Sequence, residues 1–270
     1  VVILSKLNQK KQYKNKSNKF QMETTINKID GYELSTFVKK LLPIDKFIFM
    51  KIAKEGTTSS VYFPERDAVK LVNTPTTDIF EADIENPVKV SFYNGTKVID
   101  ALSHFNGDVK GRIKYSEIDG ECMASDFILE NDDLQINLAC TDPSLSFMEM
   151  SKEETDRAFG TDAKMFEFDL LTTHVDKMKS LFNLDKEEDI FSIYIGDKGI
   201  SVKGNSYDAT LWHTYDSNVE VGTKVVIYKK YINLLDKENY KVIVCDNKVV
   251  FRSLDTNTHL TVAVAITDED

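Results

Sequence analysis

The sequence predicts an α+β chain built from two similar β-rich halves, each carrying two helices. Three observations lead there. Period-two alternation of apolar and polar residues runs through most of the chain, only four stretches show helical periodicity, and the same order of elements returns after 135 or 136 residues. With 270 residues there is chain enough for two domains of ordinary size, and 41% hydrophobic against 29% charged residues is a globular composition.

Residues 1–21 stand apart. They hold six lysines (Lys6, Lys10, Lys11, Lys14, Lys16, Lys19) and no acid, which leaves 28 basic and 44 acidic side chains from Met22 onward. Their apolar start, Val1 to Leu4, is too short for the core of a signal peptide and precedes the positive charge instead of following it. Residues 1–21 are therefore expected to be a basic tail, disordered or not native to the folded body, with an arm touching DNA phosphates as the alternative.

The first helix is expected over 31–42, where Leu34, Phe37, Val38 and Leu41 form one stripe and Pro43 ends it. The pattern then turns to strands at Phe47–Ala53 and Val88–Tyr93. A second helix follows over 94–105, with Val98, Ile99, Leu102 and Phe105 on one side and Asn94 as its N-cap. Strands return at Cys122–Leu129 and Leu134–Cys140, joined by the turn Asn131-Asp132-Asp133. The stretch 142–164 fits neither half and reads as an interdomain connector with room for a turn of helix. Beyond it a third helix is expected over 170–184 (Leu171, Val175, Met178, Leu181, Phe182), then strands at Ile190–Ile195 and Val225–Tyr228. A short fourth helix over 229–238 uses Ile232 and Leu235, and strands at Tyr240–Cys245 and Leu260–Ile266 close the chain. The expected division is domain 1 over 22–141, connector over 142–164 and domain 2 over 165–270.

No catalytic constellation is present. There is no Gly-rich phosphate loop ahead of a helix, no nucleophile elbow and no paired histidines, so neither an enzyme nor a cofactor or metal site is expected. Glu130, Asp132 and Asp133 cluster at a hairpin turn and read as solvated. Cys122, Cys140 and Cys245 are far apart and odd in number, which points to free thiols in a reducing interior. The longest apolar runs, such as Val262 to Ile266, fall far short of the roughly 20 residues a membrane span needs.

The informative charge pattern lies on the helices. Lys39, Lys40, Lys97, Lys177, Lys179, Lys229, Lys230 and Lys237 outnumber the acids Glu33, Asp100, Asp176, Asp236 and Glu238 in those four segments, inside a chain whose net charge is −10. Helical geometry turns Lys39, Lys40, Lys177, Lys230 and Lys237 away from the apolar stripes. A positive face on an acidic body suits a polyanion held without base readout.

Repeated β-rich halves with two lysine-bearing helices each resemble a DNA polymerase sliding clamp. The likeness is to the processivity factors of tailed bacteriophages, relatives of proliferating cell nuclear antigen. It is sharpest in VKVSFYNGTKVIDALSHF (88–105), in ASDFILENDDLQINLACTDPS (124–144) and in KVVIYKKYINLLDKENYKVIVCDNKVVFRSLDTNTHLTVAVAI (224–266). Set against the family, 107–120 adds a strand or turn, and the 94–105 helix offers only Lys97 and His104 to DNA. The resemblance implies the DNA-clamp fold with both helices of each domain on the inner face. It further implies a homotrimeric ring around double-stranded DNA, with the eight helical lysines facing the duplex. Its partners would be a replicative DNA polymerase and a clamp loader, in the cytoplasm of an infected bacterial host. A partner peptide would dock near the connector, where Phe147, Met148 and Met150 are candidates for its groove. A phage structural or assembly protein with a duplicated domain is the alternative.

Overall fold

The computed structural model describes residues 21–63, 65, 67–142, 150–196, 199–212, 216–217 and 222–268; the basic tail, Phe147 and Met148 lie outside them. The first half runs β1 (Met22–Ile29), α1 (Gly31–Leu41), β2 (Ile48–Ile52), β3 (Thr57–Tyr62), β4 (Ala68–Thr74), α2 (Thr76–Ile79), β5 (Phe80–Ala82), β6 (Val88–Phe92), α3 (Thr96–Leu102), β7 (Val109–Ile118), β8 (Glu121–Glu130) and β9 (Gln135–Ala139). After α4 (Lys152–Phe159) the second half gives β10 (Lys164–Leu170), α5 (Thr172–Phe182), β11 (Ile190–Gly196), β12 (Gly199–Gly204), β13 (Tyr207–Trp212), β14 (Asp216–Ser217), β15 (Thr223–Tyr228), α6 (Lys229–Ile232), β16 (Tyr240–Cys245), β17 (Lys248–Ser253), β18 (Asn257–Ala263) and β19 (Ala265–Asp268). Among the described residues no helix is long and apolar enough to cross a membrane.

The duplication expected from the sequence is visible in the pairing. β1 pairs antiparallel with β7 as β10 does with β16, and β7–β8–β9 is matched by β16–β17–β18. Likewise β6–β2–β3–β4 is matched by β15–β11–β12–β13. This corrects one expectation. The stretch 107–120 is not an addition, because β7 fills the place that β16 fills in the other half. Its alternation was blurred by Gly111, which leaves room for Ile29 and the Ile128 carbonyl; a Cβ there would meet them at 2.7 and 2.8 Å.

The helices form where their stripes predict. Asp30 caps α1, its carboxylate accepting the N–H groups of Tyr32 and Glu33 at 3.0 Å, and Leu34, Phe37, Val38 and Leu41 are all buried. Asn94 accepts the Thr96 N–H at 3.1 Å ahead of α3, and i→i+3 turns carry the coil on to Phe105. In α5 the neutral Nδ1 of His174 accepts the Leu171 N–H, while burial and the nearby Lys177 hold its pKa below the ordinary histidine value.

The fourth helix is shorter than the expected 229–238. Past Ile232 the chain tightens into i→i+3 turns, Leu234 N–H to Tyr231 O and Leu235 N–H to Ile232 O, and lysines from other elements satisfy the carbonyls left over. Lys70 Nζ donates to Leu234 O at 3.0 Å, and Lys179 Nζ to Leu235 O at 3.2 Å. The connector carries more than a turn. Ser151 and Glu154 form a reciprocal capping box that starts α4.

Two buried clusters fill the halves. One is built around Leu34, Phe37, Val90 and Phe127, the other around Met178, Phe191, Tyr231 and Phe251. The halves are joined strand to strand. β18 pairs antiparallel with β4, Asn257 opposite Asn73 through Val262 opposite Ala68, so that one 14-stranded sheet runs across both. On β4 the alternation is divided between the two cores: Ala68 belongs to the second half's core and Val72 to the first, with Lys70 between them on the same face. On the other face Val69 joins Ile243 and Val250 beneath Met150 and Phe159, which fixes α4 to the back of the seam.

Candidate nucleic-acid interface

The helices line up on one side. α3 packs on α1 and α5 on α6. The C-terminal end of α1 meets the loop after α6, where Lys40 Nζ lies 2.7 Å from Glu238 Oε1. The row across the chain is therefore α3, α1, α6, α5. It lies opposite α4, because the strand residues beneath α5 and α6 (Val242, Val244, Val249) alternate with those beneath α4 (Ile243, Cys245, Val250).

The eight lysines divide into two groups on this row. Lys39, Lys97, Lys177 and Lys237 are exposed, one on or just after each helix. The other four are held by the protein. Lys40 donates to Glu238, Thr258 and Thr256, the last two at 3.1 and 3.3 Å. Lys179 is half-buried against Leu235 O, and desolvation draws its pKa below the ordinary lysine value despite the attraction of Asp176 and Asp236. Lys229 is only 8% exposed and donates to Asp185 O at 2.6 Å. Lys230 lies 3.5 Å from Asp67 and 3.8 Å from Glu65, among the rings of Phe63, Tyr228 and Tyr231.

Lys40, Lys179 and Lys229 are thus engaged within the protein, which the helix-face expectation did not foresee, whereas Lys230 stays exposed beside its two carboxylates. A helical stripe shows which side chains turn from their own core. It does not show that the other half abuts them, nor that the Asp185–Asp189 loop folds over Lys229. Sequence reasoning also passed over Lys186, an exposed lysine just beyond α5. It lines a pocket of about 560 Å³ with Lys179, Tyr228, Lys230, Asp185 and Glu188. Its position past the expected helix end excluded it from a search along helix faces.

Of the connector candidates, Met150 is described and it is buried, 9% exposed among Phe159, Ile243, Cys245 and Val250. It pins the connector to the second half and does not line an open groove. An open groove lies nearby, beside α4. It measures about 610 Å³ and is lined by Tyr62, Val69, Arg157, Gly160, Cys245 and Lys248. Lys248 donates to the carbonyls of Arg157 and Ala158, and Arg252 to that of Phe159, so the C-terminal turn of α4 is held by cations. No metal-holding group of His, Cys, Asp and Glu is found among the described residues. Burial raises the Cys140 thiol to about 12 and raises the other two thiols as well, as for structural cysteines.

No family model and no curated protein matches the sequence. Solved structures do match the fold. Proliferating cell nuclear antigen (PCNA) from Entamoeba histolytica superposes with a TM-score of 0.61 at 12% identity, over 91% of this chain and 98% of that one. The PCNA2–PCNA3 complex from Sulfolobus tokodaii gives 0.59 at 14% identity, over 92% and 100%. A. fulgidus PCNA, solved with the C-terminal region of FEN-1 bound, gives 0.57 at 13% identity, over 92% and 99%. The chain has the fold of the PCNA-type sliding clamps along nearly its whole described length.

Proposed function

We propose that the protein is a subunit of a DNA sliding clamp, a homotrimeric ring that encircles duplex DNA without reading its sequence and tethers a replicative polymerase. The observation that carries this reading is the pairing of β4 with β18. In the duplicated architecture β13 takes the place of β4 and β9 that of β18, and each is hydrogen-bonded to a neighbouring strand on one side only among the described strands. β13 of one chain and β9 of the next can therefore repeat the junction already made inside the chain. Such a contact is head-to-tail, pairs two exposed strand edges and closes when the rotation per chain divides the circle. The helix row then faces the hole, and Lys39, Lys97, Lys177 and Lys237 meet phosphate loosely on an otherwise acidic body.

A partner peptide would dock in the groove beside α4, on the outside of the ring. A clamp loader and a phage polymerase as partners, and the cytoplasm of an infected bacterium as the setting, rest on the sequence resemblance. No observation favours a virion component.

The test is retention on DNA. Loaded on a circular plasmid, the protein should stay bound through gel filtration and should be lost once the plasmid is cut. Loss from circle and linear DNA alike, or retention on both, would contradict topological binding.

A further inference from the structure

The seam between the halves is crossed by β4 and β18 on the side of the sheet that carries the helix row. There, three lysines of the helix face meet carboxylates across the junction. Lys40 on α1 reaches Glu238 at 2.7 Å, and the hydroxyls of Thr256 and Thr258 accept its other two N–H groups. Lys70 on β4 is 2% exposed and reaches Asp236 at 2.9 Å and Leu234 O at 3.0 Å. Lys230 on α6 reaches back to Asp67 and Glu65 in the β3–β4 loop, over the ring of Phe63. Two lysines cross from the first half to the second and one crosses in return. All three act on the segment Lys229–Glu238 or start from it.

We propose that Lys40, Lys70 and Lys230 form an electrostatic lock that fixes the angle between the two halves of the chain. They are positioning residues and not DNA ligands. A junction made by one pair of strands can twist about its long axis, as strands readily do. Three pairs spread along that axis resist twisting, because any rotation separates at least one ammonium from its carboxylate. For Lys70 the penalty is steep, since a buried ammonium that loses its partner has no water to replace it. The back of the seam is covered by α4, so the two faces are restrained independently. β13, which holds the place of β4 in the second half, contains no lysine, so a junction between chains lacks the buried pair that Lys70 makes within one. The consequence for a ring rests on the proposed function: the arc of each chain is preset, and opening falls between chains. The lock itself is a property of the single chain.

Hydrogen exchange read by mass spectrometry on the full-length protein tests it. In the triple variant Lys40→Met/Lys70→Met/Lys230→Met, amides of β4 and β18 should exchange at least ten-fold faster than in the parent. Those of β2 with β6 and β11 with β15 should keep their rates. Seam amides that keep their protection, or a whole chain that accelerates in step, would overturn the proposal. Should the triple variant fail to fold, the pair Lys40→Glu and Lys40→Glu/Glu238→Lys decides. Restored seam protection in the swapped protein supports an ion-pair lock, and protection as poor as in Lys40→Glu alone overturns it. Both readouts are made within one chain. A protein that proves monomeric refutes the ring and leaves the lock standing, whereas an unlocked seam in a trimer does the reverse.

Discussion

At the residue scale, Lys70 is the clearest case of a charge placed against its solvation preference. Desolvation lowers its pKa, opposed by the attraction and hydrogen bond of Asp236. The two partners are not equally buried, since the Asp236 side chain keeps 27% exposure against 2% for Lys70. Removing Asp236 therefore strands a buried ammonium, whereas removing Lys70 leaves a carboxylate that water can reach. Asp236→Ala is expected to cost about 3 kcal/mol or more and Lys70→Met nearer 1 kcal/mol, read by urea unfolding. The reverse order would contradict the burial argument. His259 gives a second residue-scale expectation. It packs on Phe159 at 5.9 Å, and burial, then the charge of Arg252, holds its pKa below the ordinary 6.5. The unfolded chain binds a proton there first as pH falls. Stability should therefore drop as pH falls from about 6.5 toward the folded pKa and level off below it, and His259→Phe should flatten part of that slope. A slope unchanged in the variant would place the acid sensitivity elsewhere.

At the element scale, the apolar stripes made α1 and α5 legible, because a period of 3.6 with Leu34, Phe37, Val38 and Leu41 admits one reading. Other elements were hidden for physical reasons. β3 has the sequence Thr-Thr-Ser-Ser-Val-Tyr, and its Ser59 and Ser60 are buried by tertiary pairing that composition does not announce. The longer helix over 229–238 was expected from Ile232 and Leu235; Leu235 is indeed buried, 4% exposed, but lies after the helix has ended. The last carbonyls of this segment are satisfied by Lys70 and Lys179 from other elements, which no local pattern contains. The site was legible to the same degree. The exposed lysines Lys39, Lys97, Lys177 and Lys237 could be read from helix position alone, while the engagement of Lys40 and Lys230 required knowledge of what stands across the seam. The connector helix α4 is held by its cap, by Phe159 and by four cross-element hydrogen bonds to its last carbonyls. Ser151→Ala should cost about 1 kcal/mol. It should speed amide exchange in Lys152–Phe159 without touching β16 to β18, and equal acceleration in those strands would show that the helix does not open by itself.

At the scale of the whole molecule, the charge distribution and the sheet carry the same argument. An acidic chain of net charge −10 is repelled by DNA over most of its surface, and in the proposed ring the exposed lysines of the helix row, Lys39, Lys97, Lys177 and Lys237 among them, would supply the exception. Replacing Lys39, Lys97, Lys177 and Lys237 together by Glu should abolish DNA-dependent stimulation of the polymerase. Size and unfolding midpoint should stay near those of the parent, since none of the four ammonium groups is buried in the fold. Stimulation that survived the quadruple change would move the DNA surface elsewhere. In the proposed ring the edges of β9 and β13 would carry the association, so that dilution would part the chains while the β4–β18 junction within each chain persists.

The proposed closure of chains into a ring through those edges is read from the solution mass. Light scattering on the full-length protein across a concentration series should give a mass near three times the 30.8 kDa of one chain, falling to a single chain on dilution. A mass of one chain at every concentration would contradict the ring.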